Sequence, residues 1–228
     1  MRFSVIIPCL NEADQIGELL HSLQPLRSRG AELIVVDGGS ADGTLDIAAP
    51  LADRALAATR GRAAQMNAGA AVASGDVLLF LHADTRLPPD ADTTVAQALA
   101  RPGRCWGRFD VRIIGPHLLL RVVAAMMNAR SRWTGIATGD QAIFVTREAF
   151  GRVGSYAEIP LMEDVALSKR LKLLAHPLCL RARVTTSGRR WQQHGVLRTI
   201  LLMWRLRLAY ALGADPERLA ARYAHHGR

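Results

Sequence analysis

Three short apolar runs, Phe3–Pro8, Glu32–Val36 and Val77–Leu81, are each followed by a polar cluster and spaced by helical stretches. The helical stretches run from Asn11 to about Arg27, onward from Ala41, and across Ala63–Ser74. Runs of that length, rich in β-branched residues and closed by Pro or Gly, read as buried strands. Strand, helix, strand, helix, strand is the rhythm of a parallel sheet covered on both faces by helices. The fold class is therefore α/β and Rossmann-like, with a mostly parallel central sheet. In such sheets ligands bind beyond the carboxyl ends of the strands. Here those ends carry Pro8–Glu12, Asp37-Gly38-Gly39 and His82-Ala83-Asp84.

The second half is less regular. Helices are expected at Pro88–Ala100, His117–Arg132 and Glu163–Leu174, and strands at Trp106–Ile114, Ala142–Thr146 and Leu180–Thr186. Gly195–Leu212 reads as a long basic amphipathic helix. No Gly- or Pro-rich linker divides the 228 residues, so 1–228 is expected to be one domain, with halves at 1–100 and 101–228. The net charge of +9 is uneven: Arg181–Arg228 holds ten arginines against Asp215 and Glu217. A basic end suits an anionic partner, although genome-wide arginine bias explains it equally well. The three cysteines are far apart, which excludes a Cys-rich zinc site or disulfide framework and fits a reducing cytoplasm. The N-terminus lacks the pattern of a signal peptide, and arginines interrupt both long apolar stretches before they reach membrane-spanning length.

Several side chains suggest chemistry. Asp37, before two glycines, can accept hydrogen bonds from a base or ribose, or cap a turn. His82 and Asp84, two apart after a strand, would face one ligand, and Asp84 is a hard oxygen ligand suited to Mn or Mg. Glu163-Asp164 opens a helix, where acids are stabilised by the dipole, yet a carboxylate there also serves as a general base. Arg60 and Arg62 offer forks for a diphosphate. Arg190 and Trp191 pair a phosphate clamp with a ring able to cover a sugar or base; a packed loop is the competing reading.

In order along residues 3–191, these motifs resemble those of the family 2 glycosyltransferases. They are Ser4–Pro8 with Asn11-Glu12, Val35–Thr44, Asn67-Ala68-Gly69 with Ala73–Asp76, Phe80–Asp84, Gly139–Phe144, and Met162-Glu163-Asp164 with Leu167 and Arg170-Leu171. More narrowly, the chain resembles a small single-domain bacterial subgroup labelled as arsenosugar-biosynthesis glycosyltransferases. The resemblance implies an A-type glycosyltransferase fold, a nucleotide-sugar donor (often a UDP-sugar), a divalent metal, and inversion by direct displacement. It places Pro8, Leu10, Glu12, Asp37 and Gly38 on the nucleoside side, with Arg60, Arg62, His82, Arg190 and Trp191 also on the donor. Asp84 matches the second Asp of the D-x-D metal motif, and Asp164 the base of the Glu-Asp motif beside Glu163. Gly139, Asp140 and Gln141 fall on the acceptor side.

Three positions depart from the pattern. His82 replaces the first Asp of D-x-D, Met66 replaces an arginine for which Arg62 can substitute, and Ser187 stands where processive synthases carry Gln. Competing readings are a nucleotidyltransferase, which lacks its Gly-rich, Lys-bearing loop here, and a catalytically weak nucleotide-binding protein. The basic helix adds a third, peripheral contact with an anionic membrane at the inner face, set against a core-packed or homodimer-forming helix. No nucleic-acid recognition motif is present.

Overall fold

The structure, a computed structural model, describes residues 1–189, 191 and 195–225. Its first half runs β1 (Phe3–Cys9), α1 (Ala13–Ser28), β2 (Glu32–Asp37), α2 (Thr44–Ala48), β3 (Arg54–Ala57), α3 (Arg62–Val72), β4 (Val77–Phe80), β5 (Thr85–Arg86) and α4 (Ala91–Leu99). The second half runs β6 (Trp106–Ile114), α5 (Leu119–Thr134), a 3₁₀ turn (Gly139–Gln141), β7 (Phe144–Thr146), α6 (Arg147–Arg152), α7 (Glu163–Leu171), β8 (Leu178–Ser187), α8 (Val196–Ala211) and α9 (Pro216–His225).

The strands form one sheet in the order β3-β2-β1-β4-β7-β6-β8-β5. β3, β2, β1 and β4 are mutually parallel, and β6 runs parallel to β8. β7 is antiparallel to both β4 and β6, and so closes the Rossmann-like half against the second half.

Alternation along the strands explains the two cores. Val5, Ile7, Leu33, Val35, Val77 and Leu79 join one cluster, with α1, α4 and α5. Ile6, Ile34, Val36, Leu78 and Phe80 join the other, with α3, α6 and α7. Burial on both faces is what makes these strands continuous apolar runs.

The expected elements are present with small boundary shifts. The structure adds β3, β5, α6, α9 and the 3₁₀ turn, which are short or lack an apolar run. One expectation is corrected. β4 ends at Phe80, so His82 and Asp84 lie on a turn, and strand alternation does not govern where they point.

Gly107 marks the closest approach in the second half. A Cβ there would lie 2.3 Å from the Leu178 carbonyl oxygen and 2.5 Å from Cζ of Phe144. Gly107→Ala should therefore cost about 1–3 kcal/mol by overpacking. Thermal denaturation checks this, and an unchanged Tm would show that β6 and β8 part without cost.

Candidate active site

The order β3-β2-β1-β4 reverses its direction of winding at β1 and β4, which opens a crevice beyond their carboxyl ends. The β1 and β2 tips are pinned from below. Gln65 on α3 donates its Nε2 to the carbonyls of Cys9 and Val36, at 2.8 Å each. Above, Asn11 N–H donates to Ser40 Oγ at 2.8 Å, and Asn11 Oδ1 accepts from Ala41 N–H at 3.0 Å. Asp37 accepts the N–H groups of Gly39 and Ser40 at 2.8 Å, together with the Ser40 hydroxyl. Burial alone would raise its pKa, but these hydrogen bonds prevail and hold it below the ordinary carboxylate value. Its buried neighbour Cys9 is pushed up to about 12 by burial and by the Asp37 charge, so that thiol stays protonated.

Across the crevice, Asp84 Oδ1 accepts from the hydroxyls of Thr85 at 3.1 Å and Thr186 at 3.4 Å. His82 turns instead toward Asp140, with Nδ1 at 3.4 Å from its carboxylate. Burial works against protonation of His82, yet the Asp140 contact wins and its pKa is raised. Asn11, Glu12, Asp14, Gln15, Asp84, Ser187 and Arg189 line a pocket of about 390 Å³. Within it Glu12 is raised by burial and by Asp84, and Arg189 approaches it to 4.0 Å.

The third wall is the start of α7. Asp164 accepts the Gly139 N–H at 3.0 Å and its own neighbour's N–H, from Val165, at 2.7 Å. Burial and the adjacent Glu163 charge push it up to about 6, in spite of those bonds and Arg62. Glu163 is buried and pairs with Arg62 at 3.7 Å. The preceding loop is fixed by Asn67, whose amide exchanges hydrogen bonds of 2.9 and 3.0 Å with the backbone of Tyr156. Leu161, Met162 and Val165 then pack on Leu206 of α8 and Leu219 of α9.

The sequence-derived candidates therefore fall into groups. Asp164, Glu163, Arg62, His82, Asp140 and Gly139 converge, with Asp84, Glu12 and Asp37 along the same sheet edge. Pro8 is buried in β1, and Leu10 and Gly38 sit at the tips. Gln141 is fully buried, with its amide bonded to Thr138 and Asn128, so it shapes the turn and offers no surface to a ligand. Trp191 packs against the main core, Arg60 is exposed, and Arg190 lies outside the described residues. Arg189, Asn67 and Thr186 were missed as site residues; Arg189 stands beside Arg190 and Asn67 lies in one of the family motifs, whereas Thr186 carried no signal in the sequence.

No group of three metal-ligating side chains occurs among the described residues. Asp84 nevertheless suits Mn or Mg in the mode where one or two carboxylates and substrate phosphates share the ion. His82, turned to Asp140, is not aligned with it.

The family model described as Glycosyl transferase family 2 matches residues 4–156. PGL/p-HBAD biosynthesis glycosyltransferases of Mycobacterium bovis and Mycobacterium tuberculosis are 37% identical over 171 residues, covering 68% of this chain. The chain covers 62% of the length of these curated relatives. Among solved structures, Staphylococcus aureus TarS 1-349 in complex with UDP aligns with a TM-score of 0.67 at 20% identity, over 82% of this chain and 60% of that one. The mannosyltransferase PcManGT of Pyrobaculum calidifontis, in complex with GDP-Man and Mn2+, aligns with a TM-score of 0.63 at 21% identity, over 99% of this chain and 69% of that one. At such identities the structural likeness establishes the fold, which is the A-type glycosyltransferase fold.

Because the Glu163 charge helps keep the proton on Asp164, Glu163→Gln should move the Asp164 midpoint below about 6. Carboxyl-carbon NMR across pH 3–8, a range around the ordinary carboxylate value, reads it directly. An unmoved midpoint would mean that burial alone sets the value.

Proposed function

The chain belongs to glycosyltransferase family 2, and from that premise we propose that it transfers a sugar from a nucleoside diphosphate donor, UDP-linked, to an acceptor hydroxyl with inversion. The observation that carries this reading is Asp164, a carboxylate raised toward neutrality and aimed by two backbone N–H groups at the edge where the sheet opens. A base is most effective when its pKa lies near the working pH. Asp164 takes the proton of the acceptor hydroxyl as that oxygen attacks the anomeric carbon and the nucleoside diphosphate departs from the opposite face. Glu163 and Gly139 position Asp164 and tune it.

The donor lies along 1–100. Asp37 and the Asn11–Ser40 link shape the nucleoside end, and Arg62, Arg189 and Arg60 supply positive charge for the diphosphate. Asp84 would hold a divalent ion, Mn or Mg, whose chemistry there is neutralisation of the diphosphate's charge. Gly139 and Asp140, in the half 101–228, face the acceptor. Ionised Asp164 is required, so transfer rises with pH through about 6 and levels off above it.

A second observation favours action at a membrane surface. No helix among the described residues is long and apolar enough to cross a bilayer. Leu197, Leu201, Trp204 and Leu208 are nevertheless all exposed, at the spacing of one face of α8. Leu118, just before α5, and Val122, Met126 and Trp133 along it are exposed; α5 packs against α8, and Trp133 is 85% exposed. The exposed Arg121, Arg198 and Arg205 border these stripes. Apolar stripes edged with arginine fit an anionic lipid surface and hence a lipid-linked acceptor.

Two measurements test these readings. In a thermal-shift panel, UDP with Mn should stabilise wild type and Asp164→Asn alike, and Asp84→Ala should lose the Mn-dependent part. Asp164→Asn should lower transfer at least ~100-fold. Near-wild-type transfer would remove Asp164 from the mechanism. In vesicle sedimentation, wild type should bind phosphatidylglycerol-containing vesicles, and the double variant Leu201→Glu/Trp204→Glu should stay in solution. A concentration-dependent dimer without vesicle binding would assign the stripes to a second copy of the chain.

A further inference from the structure

Three arginines crowd the α5–β6 contact, and their fortunes differ. Arg108 is fully buried; it donates Nη1 to Asp110, Nε to Ser131 Oγ at 2.9 Å and Nη2 to the Asn128 carbonyl at 3.1 Å. Arg132 donates Nη2 to the other Asp110 oxygen at 2.7 Å. Asp110 is thereby spent on both. Arg130, on the same helix, has Nε and Nη2 enclosed, with no acceptor for either among the described residues. The carboxylates whose fields reach it are Asp164 and Asp140, two residues of the candidate active site.

An enclosed guanidinium with unmet donors is costly, because a buried charge is tolerated only when it is paired and hydrogen-bonded. Such a cost is understandable where a substrate supplies the missing acceptors. The unmet pair is also specific. Nε and Nη2 are neighbouring donors on one edge of the fork, the arrangement that takes two oxygens of one carboxylate or phosphate. No hydrogen bond among the described residues holds that edge of the Arg130 head group in place.

We infer that Arg130 binds a carboxylate or phosphate carried by the acceptor, next to the hydroxyl that is glycosylated. The inference rests on the glycosyl-transfer reading of Asp164. Arg130 lies on the helix side of Asp164 and Asp140, in the second half of the chain. The donor's diphosphate has its own cations in Arg62 and Arg189, toward the strand tips. The ligand class is thus a hydroxylated compound bearing an oxyanion, whether a free metabolite or the headgroup of a lipid.

The test uses the full chain as wild type, Arg130→Gln and Arg130→Lys, at constant ionic strength. Melting is followed during titration with UDP plus Mn, with inorganic phosphate, and with phosphate after saturation by UDP plus Mn. Phosphate should stabilise wild type, including in the UDP-saturated state. Arg130→Gln should weaken that response at least fivefold with the UDP response unchanged, and Arg130→Lys should restore part of it. Without ligand, Arg130→Gln should melt at or above the wild-type temperature, since it removes an unmet buried charge. Four results would overturn the inference: no phosphate response in wild type, an equal response in Arg130→Gln, a response abolished by UDP, or a lower Tm with loss of UDP binding. If UDP itself has no effect, the donor reading fails, while the phosphate titration still decides Arg130. Phosphatidylglycerol and phosphatidylcholine vesicles, each added to wild type and Arg130→Gln, separate a headgroup from a soluble anion.

Discussion

β1, β2 and β4 are buried on both faces, so a polar side chain along them loses water and must find a partner, as Ser4 does by donating to Glu32 at 2.6 Å. Apart from that pair at the amino ends, polar residues gather at the carboxyl ends, beside the crevice between β1 and β4. Glu12, Asp37 and Asp84 occupy one edge for this reason. The same constraint explains why Gln65 can sit in the interior: its amide is consumed by the carbonyls of Cys9 and Val36, which ties two strand tips together.

Geometry at that edge is held partly by backbone that side chains ordinarily avoid. Asn11, Ala142, Ser155 and Met162 all have positive φ, between 46° and 71°. Each such residue costs of order 1–3 kcal/mol. Asn11 links the first two tips, Ala142 closes the turn that begins at Gly139, and Met162 sets the entry to Glu163-Asp164. Ser155 precedes the Tyr156 backbone held by Asn67. Surrounding packing keeps these conformations in place, so the carboxylate and its N–H donors are set before any substrate arrives.

Features carried by local pattern were legible in the sequence. The strand rhythm, the acids opening α7 and the glycines after Asp37 each have a local cause. What escaped depends on distant partners. Gly139 meets Asp164 across 25 residues, and Asn67 meets Tyr156 across 89. His82 was read through strand alternation, but β4 stops two residues earlier and the ring is drawn to Asp140. β3 and β5 are edge strands of four and two residues, too short to show a period. Arg130 carries no signal in the sequence, because its isolation is visible only once Arg108 and Arg132 are seen to share Asp110.

The small cluster of Leu161, Met162, Val165, Leu206 and Leu219 joins segments made at different times during synthesis. The parallel half can collapse while later residues are still inside the ribosome. The buttress behind Asp164 is complete only when α9 has emerged. A chain interrupted anywhere between β8 and Leu219 would keep its parallel strands and lose the packing behind Asp164. Such a fragment would present the same strand tips without the packing that sets the entry to Glu163-Asp164, so that corner of the molecule is the last to become complete.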